Sequence, residues 1–228
     1  MGSKSEIIVP AVLQPETESV EVETGSGTRN LIEIAVIFGL LMAAIWTPQG
    51  QLNSFFSISA AACVVAFAIA GSWNWHELGL TRPLAGSGTI LFAGAALCGV
   101  ILLLGVGLRF AGAGYPIPWS RSWEYAIWAL IQEFILQSIF FVRLESMFGG
   151  RKASVYCASL FAVAHIPNPV LTSLAFVGGW IFCELFRRYR NLFPIGVIHA
   201  ALGITIAASF PESWLHHMRV GIGYLTLH

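Results

Sequence analysis

Charge is what this sequence has least of. Lys, Arg, Asp and Glu make up 11% of its 228 residues, against about 25% in an ordinary soluble domain. Twelve basic and twelve acidic residues cancel to zero net charge, so the basic footprint that nucleic-acid binding requires is missing. Cysteine is sparse too. Cys63, Cys98, Cys157 and Cys183 lie inside apolar runs with no CxxC pair, which reads as four buried free thiols rather than a disulfide framework. No cleavable signal peptide is evident, because the first thirty residues are polar and acidic and contain no apolar core. The HExxH zinc signature is also missing: after His76-Glu77, the place of the second His is taken by Leu80.

Apolar sequence fills the gap. Hydrophobic residues account for 56% of the chain and the mean hydropathy is +0.73, values of a polytopic membrane protein. About 20 apolar residues are needed to cross a bilayer, and seven apolar segments follow the tail, at roughly 31–47, 54–71, 88–110, 123–143, 153–168, 169–187 and 192–210. The predicted fold is an all-α, polytopic transmembrane helical bundle of about seven spans. Residues 1–30 are expected to be a disordered cytoplasmic tail, 31–210 the transmembrane domain, and 211–228 an interfacial C-terminal segment, with an eighth, poor span as the alternative. Ile166-Pro-Asn-Pro169 separates segments five and six, since proline breaks helices and restricts the residue before it. Segment five is short for a full crossing.

Lys and Arg report orientation. With a cytoplasmic N-terminus, nine of them (Lys4, Arg29, Arg82, Arg143, Arg151, Lys152, Arg187, Arg188 and Arg190) fall inside and three (Arg109, Arg121 and Arg219) outside. Trp46, Trp73, Trp75, Trp119, Trp123 and Trp214 lie near segment ends, as an interfacial belt requires. There is no internal repeat and no separate soluble domain.

The segment from Trp128 to Arg143 carries Glu133 at its centre. A carboxylate at that depth costs about 2.5–3.5 kcal/mol on insertion scales, so it needs a partner or a task. Gln137 lies one turn on, along the same face, and Gln132 is adjacent. Two other apolar segments each hold one histidine, His165 and His199. Each residue alone is consistent with polar glue between helices. Convergence of all three would make a Glu/His/His site in a low-dielectric pocket, suited to activating water for amide hydrolysis. The same set is a His₂Glu ligand trio of the kind found in catalytic zinc sites.

Three motifs resemble the CPBP family of intramembrane proteases, which includes CAAX prenyl endopeptidases and bacteriocin-processing enzymes. The family pattern is EExxxR, then FxxxH, then HxxxN or HxxxD. Here the corresponding residues are Gln132-Glu133-x-x-x-Gln137, Phe161-x-x-x-His165 and His199-x-x-x-Gly203. Leu78-Gly79-Leu80, the basic run through Arg190 to Pro194, and His165-Ile-Pro-Asn-Pro169 also match, so the similarity spans about residues 72–205. The resemblance implies a glutamic-type endopeptidase with no organic cofactor, set in a bacterial-type plasma membrane. Its substrate would be a membrane protein or peptide: a prenylated C-terminus, a membrane-anchored sorting tail or a leader peptide. Glu133 would be the general base, His165 would orient the water, and His199 would stabilise the oxyanion. Gln132, Gln137 and Asn168 are supporting donors. Zinc held by Glu133, His165 and His199 is the metal alternative.

Three positions depart from the pattern. Gln132 replaces the first Glu, and an amide is not a base. Gln137 replaces the Arg, and Gly203 replaces the Asn or Asp. Two other readings therefore stand beside the protease: a catalytically lapsed scaffold, ligand-binding or immunity protein on the same fold, and a proton-coupled transporter. The transporter predicts two related halves with broken helices, which the sequence lacks.

Overall fold

The computed structural model describes residues 17–71, 73–108, 110, 114 and 116–226. Every described element is helical. The long helices are α1 (Thr17–Trp46), α2 (Gln51–Ala70), α3 (Ser87–Gly107), α4 (Trp119–Glu133), α6 (Gly150–Val163), α7 (Pro169–Tyr189) and α8 (Leu192–Ser209). A π-helical segment, Phe134–Phe141, and the short α5 (Val142–Phe148) continue α4 into one rod of 30 residues. Six helices are long and apolar enough to cross a membrane: Ser26–Trp46, Gln51–Ala70, Ser87–Gly107, Trp119–Phe148, Pro169–Tyr189 and Leu192–Ser209. The seventh, α6, has 14 residues and rises about 21 Å at 1.5 Å per residue, short of a hydrocarbon core of about 30 Å. The chain is an all-α polytopic bundle.

Residues 1–16 of the expected tail lie outside the described residues. Residues 17–30, also assigned to that tail, form the first turns of α1. Asn30 and Glu33, midway along it, are buried and bonded to other helices, which ties that part of α1 to the bundle.

Capping sets several boundaries. Helix α6 stops at Val163, ahead of two prolines. Asn168 caps α7 by accepting from Leu171 N at 3.1 Å, and Pro169 takes the first helical position, where a missing N–H costs nothing. Asn191 caps α8 and donates from Nδ2 to Pro83 O and Ala85 O at 2.9 and 2.8 Å, fixing α8 against the lead-in to α3. The Leu78-Gly79-Leu80 turn tucks beneath the rod. Leu78 O accepts from Ser138 Oγ at 2.7 Å, and Gly79 O accepts from Leu192 N at 3.1 Å. Gly79 has φ +75°, and a Cβ there would press on Phe186 and stand 3.3 Å from Leu192 N, so glycine is required.

Helix α8 lies between α3 and α4, α6 packs on α7, and α1 pairs with α2. Gly196 lets α8 approach α4 closely: a Cβ there would meet Leu130 Cα at 3.3 Å. Asn30 donates to Ser146 Oγ, Glu145 pairs with Arg190, and Asn191 reaches Ser87. These contacts gather the start of the Ser26–Trp46 stretch of α1 and the starts of α3, α6 and α8 at one end of the bundle, with the ends of α5 and α7.

One assignment of surface charge is corrected. Arg143 is not a loop cation marking orientation. It is fully buried, donates to Glu33 Oε2 at 2.7 Å, to Ile139 O at 3.1 Å and to Phe67 O at 3.0 Å, and lies 6.0 Å over the Trp73 ring. Residues 211–226 form no eighth span. Their helices, α9 (Glu212–Leu215) and α10 (Gly221–Leu225), have four and five residues and fold back onto the α6–α7 connection, where Gly221 N donates to Ile166 O at 2.9 Å.

Candidate active site

Glu133 ends α4 at the junction with the π-helical segment and is fully buried. Both carboxylate oxygens have partners. Oε1 lies 2.7 Å from His199 Nδ1, and Oε2 accepts from Gln137 Nε2 at 3.0 Å. A buried carboxylate is tolerated when it is paired and hydrogen-bonded, and low dielectric strengthens both contacts. The π-helical turns that follow are a feature often found at functional sites. Their carbonyls take side-chain donors: Leu136 O accepts from Cys157 Sγ at 3.0 Å, and Ile139 O accepts from Arg143.

His199 keeps a side-chain exposure of 15%, against 0% for Glu133. Its ring stacks on Phe182, with centroids 5.8 Å apart, and meets Phe161 edge-on at 5.9 Å. His165 also packs on Phe161, at 4.6 Å, and its Nδ1 lies 2.7 Å from Phe161 O. A carbonyl only accepts, so that contact fixes the proton on His165 Nδ1 and leaves Nε2 as an acceptor. A carboxylate does the same for His199. The two half-buried imidazoles thus share one aromatic wall, and neither Nε2 has a hydrogen-bond partner among the described residues.

Of the three residues expected to converge, Glu133 and His199 are in direct contact, and His165 joins them through Phe161. Gln137 is a donor to Glu133. Gln132 is half-buried and makes no hydrogen bond among the described residues. Asn168 is engaged elsewhere in the structure. Its Oδ1 caps α7, and its Nδ2 donates to Leu215 O at 2.9 Å and Arg219 O at 3.2 Å, holding the C-terminal segment.

The zinc trio does not fit this geometry. Among the described residues no three His, Cys, Asp or Glu side chains are grouped to hold a metal ion. Both Glu133 oxygens are already engaged, Oε1 by His199 and Oε2 by Gln137.

Two contributors escape sequence reasoning. Phe182 stacks on His199 from a different helix, and no spacing marks it. Tyr125 fills the space beside Gly203, where an added Cβ would overlap its hydroxyl and meet its Cζ at 2.7 Å. The only signal was a glycine at a motif position.

Residues 118–205, less than half of the chain, match the family model described as type II CAAX prenyl endopeptidase Rce1-like. No curated protein and no solved structure matches. The matched stretch contains all three motif positions and the Glu133–His199 pair, and over those residues the chain is similar to the type II CAAX prenyl endopeptidase Rce1-like family.

Proposed function

We propose that this chain is an intramembrane endopeptidase that hydrolyses a peptide bond of a membrane-associated protein or peptide. The observation that supports this reading is the 2.7 Å contact between Glu133 Oε1 and His199 Nδ1, made by residues at two motif positions of the matched segment. That contact shifts the roles expected from sequence. Glu133 is enclosed and both its oxygens are engaged, so it acts through His199: it holds the Nδ1–H tautomer and stabilises the imidazolium. His199 Nε2 is then the base. As the water oxygen bonds to the carbonyl carbon, one water proton passes to Nε2 and the carbonyl π electrons move onto oxygen. Collapse breaks the C–N bond, and the Nε2 proton goes to the leaving nitrogen, giving an acid and an amine. His165 Nε2 accepts the second water proton in a hydrogen bond and orients the attack.

In this reading the end rich in Arg and Lys faces the cytoplasm of a bacterial-type plasma membrane, and the substrates are prenylated C-termini, sorting tails or leader peptides. The test is cleavage of such membrane-anchored peptides by purified protein in liposomes. Glu133→Gln, His165→Ala and His199→Ala should each lower the rate by about 10²–10⁴-fold. Undiminished cleavage by Glu133→Gln overturns the reading.

A second reading, a membrane scaffold or peptide-binding protein on the same fold, is favoured by Gln132 and Gln137 at two motif positions. It predicts that wild type binds those peptides and cleaves none.

A further inference from the structure

We propose that the Tyr125 hydroxyl is a substrate-binding group, holding a backbone carbonyl of the peptide about two residues from the bond presented to His199. This inference rests on the endopeptidase reading above and extends it to how the peptide is gripped.

Gly203 lies four residues after His199 on α8 and is buried. The space a side chain would occupy there is taken by the Tyr125 phenol, reaching across from α4. Cβ positions four apart on a helix are about 5–6 Å from each other. The hydroxyl is therefore displaced about one helical turn from His199 along α8. An extended peptide rises about 3.3 Å per residue, so that offset corresponds to about two residues of substrate.

The alternative is a belt tyrosine with its hydroxyl at the membrane surface. Its neighbours on α4 behave that way: Trp119, Trp123 and Trp128 are exposed by 91%, 61% and 50%. Tyr125 instead turns into the α4–α8 seam and is half-buried. Its hydroxyl has no hydrogen-bond partner among the described residues. Phenylalanine would fill the seam equally well, so packing against Gly203 does not require the hydroxyl. A phenol with its O–H unspent, one turn from an imidazole with its Nε2 unspent, suits an acceptor carried by the same ligand. The recurring acceptor along an extended peptide is its carbonyl.

The probe is a C-terminally prenylated nonapeptide with a donor–quencher pair, presented to the full chain in liposomes. Binding is read by anisotropy and cleavage by dequenching. Tyr125→Phe should weaken binding and raise KM about 3–10-fold, as expected for one hydrogen bond, with kcat within about twofold and an unchanged melting temperature. Gly203→Ala, which displaces the phenol, should reproduce the binding loss. Replacing single probe amides by esters, which accept more weakly, should cost wild type affinity at one position and cost Tyr125→Phe nothing there. Unchanged affinity in Tyr125→Phe overturns the inference, as does a kcat loss with KM unchanged. If wild type cleaves the probe and Tyr125→Phe binds it equally well, only the inference fails. If wild type binds the probe without cleaving it, the endopeptidase reading fails, and the ester series still decides the role of Tyr125. If wild type neither binds nor cleaves it, both fail.

Discussion

Glu133 Oε1 and His199 Nδ1 stand 2.7 Å apart across the α4–α8 interface. Because an ionised carboxylate can only accept, the contact assigns the imidazole proton. In the neutral protein His199 should carry it on Nδ1, and His165 should do the same through Phe161 O. Imidazole ¹⁵N shifts of selectively labelled protein in a bilayer measure this directly. Both rings should report protonated Nδ1 and bare Nε2, and Glu133→Gln should disturb His199 while leaving His165 in place. An Nε2–H tautomer at His199 would remove the base from the proposed mechanism.

The buried pair Arg143–Glu33 predicts a stability pattern. Guanidinium and carboxylate side chains are exposed by 0% and 6%; removing Glu33 leaves Arg143 buried without a counter-charge, at a cost of about 3–5 kcal/mol, whereas Glu33 without Arg143 keeps Arg29 as a partner at 2.8 Å. Glu33→Leu should lower the melting temperature in detergent sharply, and Arg143→Met should lower it less. The double variant should recover much of the loss, because apolar replacement of both partners is often close to neutral. Equal losses in all three variants would mean that the pair contributes as packing alone.

How far the sequence could be read follows from which forces are local. Seven helices were visible because each apolar run declares its own partner, the lipid. Glu133, His165 and His199 were visible because ionisable groups are rare in such runs. Arg143 was misread because its partner, Glu33, is 110 residues away, and a Lys/Arg count sees only position along the chain. The π-helical turns after Glu133 receive a tertiary donor, Cys157 Sγ on Leu136 O, and left no periodicity to detect. Asn168 looked like a site donor because it stands three residues from His165. Its bonds to Leu215 and Arg219 come from a distant segment.

Asn168 therefore separates support of the fold from support of the site. Asn168→Ala removes the α7 cap, worth about 1 kcal/mol, and frees the carbonyls of Leu215 and Arg219. Hydrogen exchange should rise across 211–226 and in the first turn of α7. The His199 ¹⁵N shifts should stay as in wild type, and cleavage should fall no more than stability accounts for. A changed His199 tautomer would return Asn168 to the site.

Gln132 offers the sharpest discrimination of where the base lies. It occupies the position of the first Glu in the family pattern, and it is half-buried with no hydrogen bond among the described residues. If water is activated from that position, Gln132→Glu should restore a missing base and raise kcat by tenfold or more. If His199 Nε2 is the base, a second carboxylate beside Glu133 brings like-charge repulsion and desolvation without a function. Gln132→Glu should then leave kcat within about threefold and lower the melting temperature. Adding Gln137→Arg supplies a counter-charge but removes the amide that donates to Glu133 Oε2. The double variant should recover stability ahead of activity. A large gain in kcat from Gln132→Glu alone would transfer the base role from the Glu133–His199 pair to position 132.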